Sequence, residues 1–344
     1  MKVLVTGLGS AGQRHVRNLR ALYGRDVDIL AYRVRALPHV LTDAATMAAG
    51  ATVEQTYGIR SFSRLADALA EQPAVAIVSN PTTCHLPTAL AAARAGCHLL
   101  IEKPLADTME GIDELTALVE RQGLVATVGY QLRFHPALVR ARALLGQGAI
   151  GELQSVHAEF TEYLPDAHPY EDYRQSYAAR ADLGGGVILC YIHEFDYLTW
   201  WLGLPRQVST TGGRLGDLEI DVEDTATTTM AYRLGTRDVA VEVHQSFLGR
   251  PGSRTCRLSG DAGVIDMDLN APSVTLTRDD GATDRQGFDG FNRNQMFVDE
   301  LSHFITAVAG GHAPMVPLRE AAASLRVALA ARESLRSGQA VALS

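Results

Sequence analysis

The sequence predicts an α/β chain: a doubly wound parallel sheet, then an α+β domain with a large, open, mostly antiparallel sheet. Three observations carry that prediction. Short apolar runs alternate with amphipathic stretches up to about residue 130. From residue 208 to 277, strand-like runs follow one another with little more than turn residues between them. Two long amphipathic stretches then close the chain.

Taken in order, residues 2–6 are an apolar strand, and 11–23 read as a helix with Val16, Leu19 and Leu22 on one face and Gly24 as its stop. Residues 28–32 form the second strand, and 75–78 are continuously apolar, as a central parallel strand is. A helix over 85–95 stops at Gly96 and leads to a strand over 98–101. Asp107 and Glu110 have capping-box spacing ahead of Ile112, Leu115 and Leu118, and a strand over 124–129 follows. Strict alternation implies right-handed crossovers. Beyond it come a long strand over 152–163, one helix over 187–202, and strands over 208–215, 225–234, 239–247, 255–260, 264–269 and 274–277. Helices over 294–309 and 318–336 end the chain. The expected division is 1–128, 129–316 and 317–344, with the last helix packing back on the first domain.

The 344 residues suffice for two domains and a sizeable core, and 47% hydrophobic with 20% charged residues is a globular balance. A net charge of −8 argues against nucleic acid as the main partner. No apolar run reaches membrane-spanning length, and the chain opens on a strand instead of a secretory signal. Cys84, Cys97, Cys190 and Cys256 are widely spaced, so neither a disulfide framework nor a metal site is expected, and a cytoplasmic location fits. No second histidine follows His193-Glu194 at metalloprotease spacing, and no G-x-S-x-G elbow is present.

Gly7-Leu8-Gly9-Ser10-Ala11-Gly12 is a G-x-G-x-x-G between a strand and a helix, the context that a Rossmann dinucleotide site requires. Gly7 permits the tight turn, Gly9 lets the backbone approach a pyrophosphate, and Gly12 allows close helix–strand packing. Ser10 and Ala11 open the helix whose N-terminus supplies donors and positive potential. At the end of the second strand, Tyr32 stands where an acidic residue would bind the NAD ribose. Arg33 and Arg35 beside it suit a 2′-phosphate, so NADP is favoured over NAD.

Together with Ser79-Asn80-Pro81-Thr82-Thr83-Cys84-His85, the segments 95–105, 129–136 and Gly184-Gly185-Gly186, this turn resembles the glucose-fructose oxidoreductase / inositol dehydrogenase / rhizopine-catabolism (Gfo/Idh/MocA) family. The resemblance implies hydride transfer between NAD(P) and a secondary alcohol or ketone carbon of a sugar, cyclitol, amino sugar or nucleotide sugar. It implies cofactor contacts by Asn80, Pro81 and His85, with Glu102 near the nicotinamide ribose. Lys103 would polarise or deprotonate the substrate hydroxyl, ahead of a cis peptide at Pro104. Some relatives of similar architecture are NAD-dependent glycosidases or non-catalytic dinucleotide sensors, which are the alternatives. A homodimer or homotetramer is expected by resemblance.

Read from the residues, a lysine at the C-terminal edge of a parallel strand faces the crevice where ligands bind, and a nicotinamide cation would depress its pKa. His193 is the expected acid–base partner of Lys103. Family members place an aspartate four residues before this histidine, whereas this chain has Leu189, with Cys190 beside it as a candidate substrate contact. The loop holding Tyr163, Asp166, His168, Tyr170 and Arg174 offers rings and directional donors for a sugar-like substrate. Tyr130 and Arg133 are further candidates, and the helix beginning near Asn292-Arg293-Asn294 would bring one more polar group.

Overall fold

The computed structural model describes residues 1–34, 40–42, 47–48 and 52–343. The first sheet has six parallel strands in the order Arg60–Phe62, Asp28–Tyr32, Lys2–Thr6, Val75–Val78, His98–Glu102, Ala126–Gly129. Its central strands are buried on both faces, from Val3 to Val5 and from Val75 to Val78, which is why they read as unbroken apolar runs. The strand order reverses between Lys2–Thr6 and Val75–Val78, so the crevice opens at the C-terminal ends of those strands. The helix Ser10–Tyr23 starts at that crevice and ends at Gly24, whose φ is 56°.

The second sheet has nine strands in the order Thr283–Gly287, Ser273–Arg278, Gly263–Asp268, Leu248–Gly260, Leu153–Tyr163, Arg237–Ser246, Thr225–Leu234, Gln207–Gly213, Val341–Ala342. All neighbours are antiparallel except Leu153–Tyr163 with Arg237–Ser246. Alternation places Ala226, Thr228, Met230 and Tyr232 on the covered face, leaving Thr229, Ala231 and Arg233 exposed on the other. Helices His193–Leu202 and Leu318–Ser337 lie on the covered side. No helix among the described residues is long and apolar enough to cross a membrane.

The structure corrects two expectations and refines a third. The capping box does not form: Thr108 Oγ1 takes the Glu110 N–H at 3.2 Å, and the helix Ile112–Gln122 begins behind Gly111, at φ 84°. The stretch 187–202 is two helices, Val187–Cys190 and His193–Leu202, broken at Tyr191. The break frees two carbonyls, and Gln245 Nε2 donates to Tyr191 O at 2.6 Å. The last helix meets both domains: on the first, Arg332 donates to Asp107 O at 3.1 Å and Arg319 to Glu120 at 2.7 Å. The penultimate helix, Arg293–Gly310, buries Leu301, Phe304 and Ala307 against Val3, Val5, Val16 and Leu19. The small residues Ala321, Ala328 and Ala331 let Leu318–Ser337 settle on the second sheet, touching the first sheet chiefly near its start, where Pro317 bridges Thr127.

Candidate active site

The glycine turn is shaped by its lack of side chains. Gly7 adopts φ 84° and donates to Tyr32 O at 2.7 Å, while a Cβ on it would lie 2.8 Å from Ser79 O. A Cβ on Gly12 would lie 2.0 Å from Gly7 O, so helix and turn touch backbone to backbone. Gly9 is the N-cap, provides no side-chain cap, and faces open space. The N–H groups of the first helical turn at Ser10 and Ala11 therefore border an open cradle that fits a pyrophosphate. At the end of the second strand, half-buried Tyr32 is followed by Arg33, whose guanidinium meets Glu54 at 2.5 Å. Burial resists ionisation of Glu54, but hydrogen bonds, including one from Ser61, and the Arg33 charge hold its carboxyl below the ordinary range. Arg35 lies outside the described residues.

Across the crevice, the strand His98–Glu102 ends in Glu102, Lys103 and a cis peptide to Pro104. Glu102 is buried, yet its carboxyl is held below the usual range: burial opposes this, and a 2.8 Å hydrogen bond and charge contact with His15 Nε2 outweigh it. His85 sits between Pro104 O at 2.7 Å and Asn80 O at 2.8 Å, which ties the turn after Val75–Val78 to the segment after Lys103. Asn80 Nδ2 donates to Thr88 Oγ1 at 2.8 Å, and Pro81 heads the single turn Thr82–Cys84.

Lys103 Nζ donates to Cys190 O at 2.8 Å, the carbonyl released where the helix breaks. Burial pushes the amine pKa down, with Cys190 and Glu102 opposing. Burial also raises the Cys190 thiol to about 12, so the group is a neutral thiol, hydrogen-bonded to the Tyr177 side chain. His193 is 4% exposed, and its Nε2 accepts from Gln131 Nε2 at 3.2 Å, while Nδ1 has no partner among the described residues. Burial, and then the Lys103 charge, drive its pKa well below the ordinary value, so the ring is neutral near pH 7. Burial and the same lysine lower His168 to about 4. Tyr170 packs on His168, ring centroids 5.4 Å apart, and hydrogen-bonds to Ser10. The loop expected to hold substrate thus reaches across to the glycine turn.

Residues 1–130 match the family model "Oxidoreductase family, NAD-binding Rossmann fold", and residues 138–266 match the GFO/IDH/MocA C-terminal domain. The chain belongs to the Gfo/Idh/MocA oxidoreductase family. It is 29% identical over 344 residues to Myo-inositol dehydrogenase Hyg17 of Streptomyces leeuwenhoekii, covering 98% of each chain. It is 26% identical to scyllo-inositol 2-dehydrogenase (NAD(+)) of Bacillus subtilis, covering 100% of this chain and 96% of the other. The crystal structure of myo-inositol 2-dehydrogenase from Lactobacillus plantarum superposes with a TM-score of 0.80 at 19% identity, over 100% of this chain and 99% of that one, which shows a shared fold.

Within this Gfo/Idh/MocA oxidoreductase several sequence candidates lie elsewhere than expected. Tyr130 is fully buried, its ring 5.8 Å from that of His193 and its hydroxyl without a partner among the described residues, so it is a wall behind the histidine. Arg133 is spent on a buried double hydrogen bond to Asp196 at 2.9 and 3.0 Å and on Glu320 at 2.6 Å. Arg174 is an exposed side chain paired with Asp172 and Glu219 at 2.9 and 2.5 Å. Tyr163 lies under Arg250, 3.2 Å from its ring centroid, and exposed Asp166 is 3.9 Å from Arg250. Tyr163, Asp166 and Glu162 line one recess at this loop. Leu189 and His193 lie on different helices, Val187–Cys190 and His193–Leu202.

Sequence reasoning missed His15, Gln131, Glu162 and Tyr177. His15 follows the glycine motif by one helical step, which is a usable signal. Tyr177 reaches Cys190, and Glu162 accepts from Tyr191 at 3.0 Å, both through contacts distant in the chain.

Proposed function

We propose that this oxidoreductase transfers a hydride between a nicotinamide dinucleotide and a secondary alcohol or ketone carbon of a sugar-like or cyclitol substrate, with NADP preferred over NAD. The observation that carries the reading is the convergence of two groups on one cleft. Lys103 is anchored on Cys190 O, and its charge bears on a neutral His193 whose Nδ1 lacks a partner among the described residues. The inositol dehydrogenases among the relatives support the substrate class.

When bound, the dinucleotide supplies the hydride acceptor or donor. Gly7, Gly9, Ser10, Ala11 and Gly12 hold its pyrophosphate, and Glu102 borders its nicotinamide ribose. Asn80, Pro81 and His85 fix the far wall, since His85 ties Asn80 to Pro104. Lys103 Nζ takes or returns the proton of the substrate hydroxyl, and neutral His193 orients that hydroxyl and completes the acid–base pair. His168, Tyr170 and Cys190 flank the substrate. The reading includes self-association as a homodimer or homotetramer through the outer face of the nine-stranded sheet, and a cytoplasmic site of action. Light scattering on the purified protein tests the assembly.

The direct test is a panel of sugars and cyclitols assayed with each dinucleotide by the absorbance of the reduced nicotinamide. Turnover of at least one polyol is expected, and failure to bind either dinucleotide would end the reading. A second prediction concerns cofactor choice. Arg33→Asp removes a cation and adds a carboxylate beside Glu54, and the ratio of kcat/KM for NADP over NAD is expected to fall at least about tenfold. An unchanged ratio would make Arg33 merely the partner of Glu54.

A further inference from the structure

The helix Arg293–Gly310 sends one acidic side chain into the interior. Glu300 is 3% exposed, and neither of its carboxyl oxygens has a hydrogen-bond partner among the described residues. An ionised carboxylate in that setting is too costly to keep, so the group is retained as the neutral acid. Burial, followed by the charges of Glu102 and Asp196, holds the proton on. A neutral acid still has an O–H that needs an acceptor.

The facing helix presents one. His15 is 1% exposed; its Nε2 lies 2.8 Å from Glu102 Oε1, and its Nδ1 has no partner among the described residues. Because Glu102 is a carboxylate acceptor, Nε2 carries a proton, and in the neutral ring Nδ1 presents a lone pair. The packing of the two helices brings donor and acceptor into one region. Asn18 and Asn294 exchange amide hydrogen bonds at 2.9 and 3.4 Å, and the Arg14 guanidinium lies 4.1 Å from the centre of the Phe297 ring. The helices therefore run antiparallel, and Glu300, one helical step beyond Phe297, falls beside the first turns of Ser10–Tyr23. The charged groups that bear on Glu300 are Glu102 and Asp196, the latter paired with Arg133; Arg14, on the facing helix, lies over Phe297. Buried polar atoms left over at such a place are met by internal water.

We propose that Glu300 is a positioning residue for the cofactor site: it donates through an internal water to His15 Nδ1, and so keeps His15 donating from Nε2 to the Glu102 carboxylate. The proposal rests on the reading that Glu102 borders the nicotinamide ribose. Its consequence is that Glu102 meets the ribose as a fixed, ionised acceptor, although the residue that fixes it lies on another helix and touches no ligand.

The test compares Glu300→Gln, which keeps a donor, with Glu300→Leu, which removes it. In the unliganded protein, nitrogen NMR of His15 is expected to show the Nε2–H tautomer in the wild type and the Gln variant, and to lose that signature in the Leu variant. The dissociation constant of the reduced dinucleotide is expected to stay within about twofold for Gln and to rise about tenfold for Leu, the size of one buried hydrogen bond. Wild-type affinity is expected to fall as pH rises through the raised pKa of Glu300, and the Gln variant to lack that decline. An unchanged His15 signature in the Leu variant, or a Gln variant as impaired as Leu, would overturn the proposal. If the Leu variant does not fold, the step in the His15 signals as Glu300 titrates decides alone: present in the wild type and absent in Gln supports it, and any other pattern rejects it. Should no form bind a dinucleotide, the cofactor reading fails, while the NMR comparison still decides the role of Glu300.

Discussion

Lys103→Ala is expected to lower kcat by roughly 10³-fold, while the dissociation constant for the dinucleotide stays within about threefold. The asymmetry follows from where the amine stands. Nζ is held by Cys190 O at 2.8 Å, and Glu102 keeps its 2.8 Å bond to His15, so deleting the amine leaves the Gly7–Gly12 backbone and the Glu102–His15 pair in place. On the proposed reading, what is lost is the amine that takes the proton of the substrate hydroxyl, which leaves His193 without its partner. The pH profile checks the same claim. Burial lowers the Lys103 pKa, and a base acts only when deprotonated, so kcat/KM for alcohol oxidation is expected to climb as pH rises through that lowered value. The alanine variant should lack this limb. Steady-state kinetics with a fluorescence titration of the cofactor measure both, and an alanine variant with wild-type kcat would remove Lys103 from the chemistry.

The parts of the molecule that are legible in the sequence are those whose cause is local. Strand Val75–Val78 reads correctly because burial on both faces demands an unbroken apolar run. The glycine turn and the Glu102-Lys103-Pro104 segment stand out in the sequence because each is a run of consecutive residues. Thr283–Gly287 is invisible because all five residues are exposed and only backbone pairing makes it a strand. The break at Tyr191 is hidden inside an apolar stretch, since its cause is Gln245, 54 positions away. Arg174 shows the opposite case. Its partner Asp172 stands two residues away, a signal within the sequence, yet residue type alone suggested a substrate contact. Glu300 and Tyr177 earn their places through contacts between elements distant in the chain, and no local spacing announces such contacts.

Arg133 and Asp196 illustrate the energetic side of that distinction, and Asp196→Ala is the substitution with the largest expected effect on stability. Both side chains are 1% exposed, and the pair is joined by two hydrogen bonds at 2.9 and 3.0 Å. Ser324 Oγ donates to the same carboxylate at 2.9 Å, which draws the last helix into the arrangement. Removing the acid leaves a guanidinium buried against the Trp200 ring, 5.1 Å from its centroid, with Glu320 as its remaining carboxylate. Glu320 is 49% exposed, so its screening by solvent limits how far it can compensate. A loss of about 3–5 kcal/mol is expected, and with it a fall in Tm on the order of 10 °C, read by scanning calorimetry. Combining Arg133→Met with Asp196→Leu should recover most of the loss, because an apolar pair carries no desolvation cost. The same helix carries His193, so the single variant should lose activity in step with its folded fraction and regain it on cooling. An unchanged Tm would mean that the pair contributes nothing beyond what its desolvation costs.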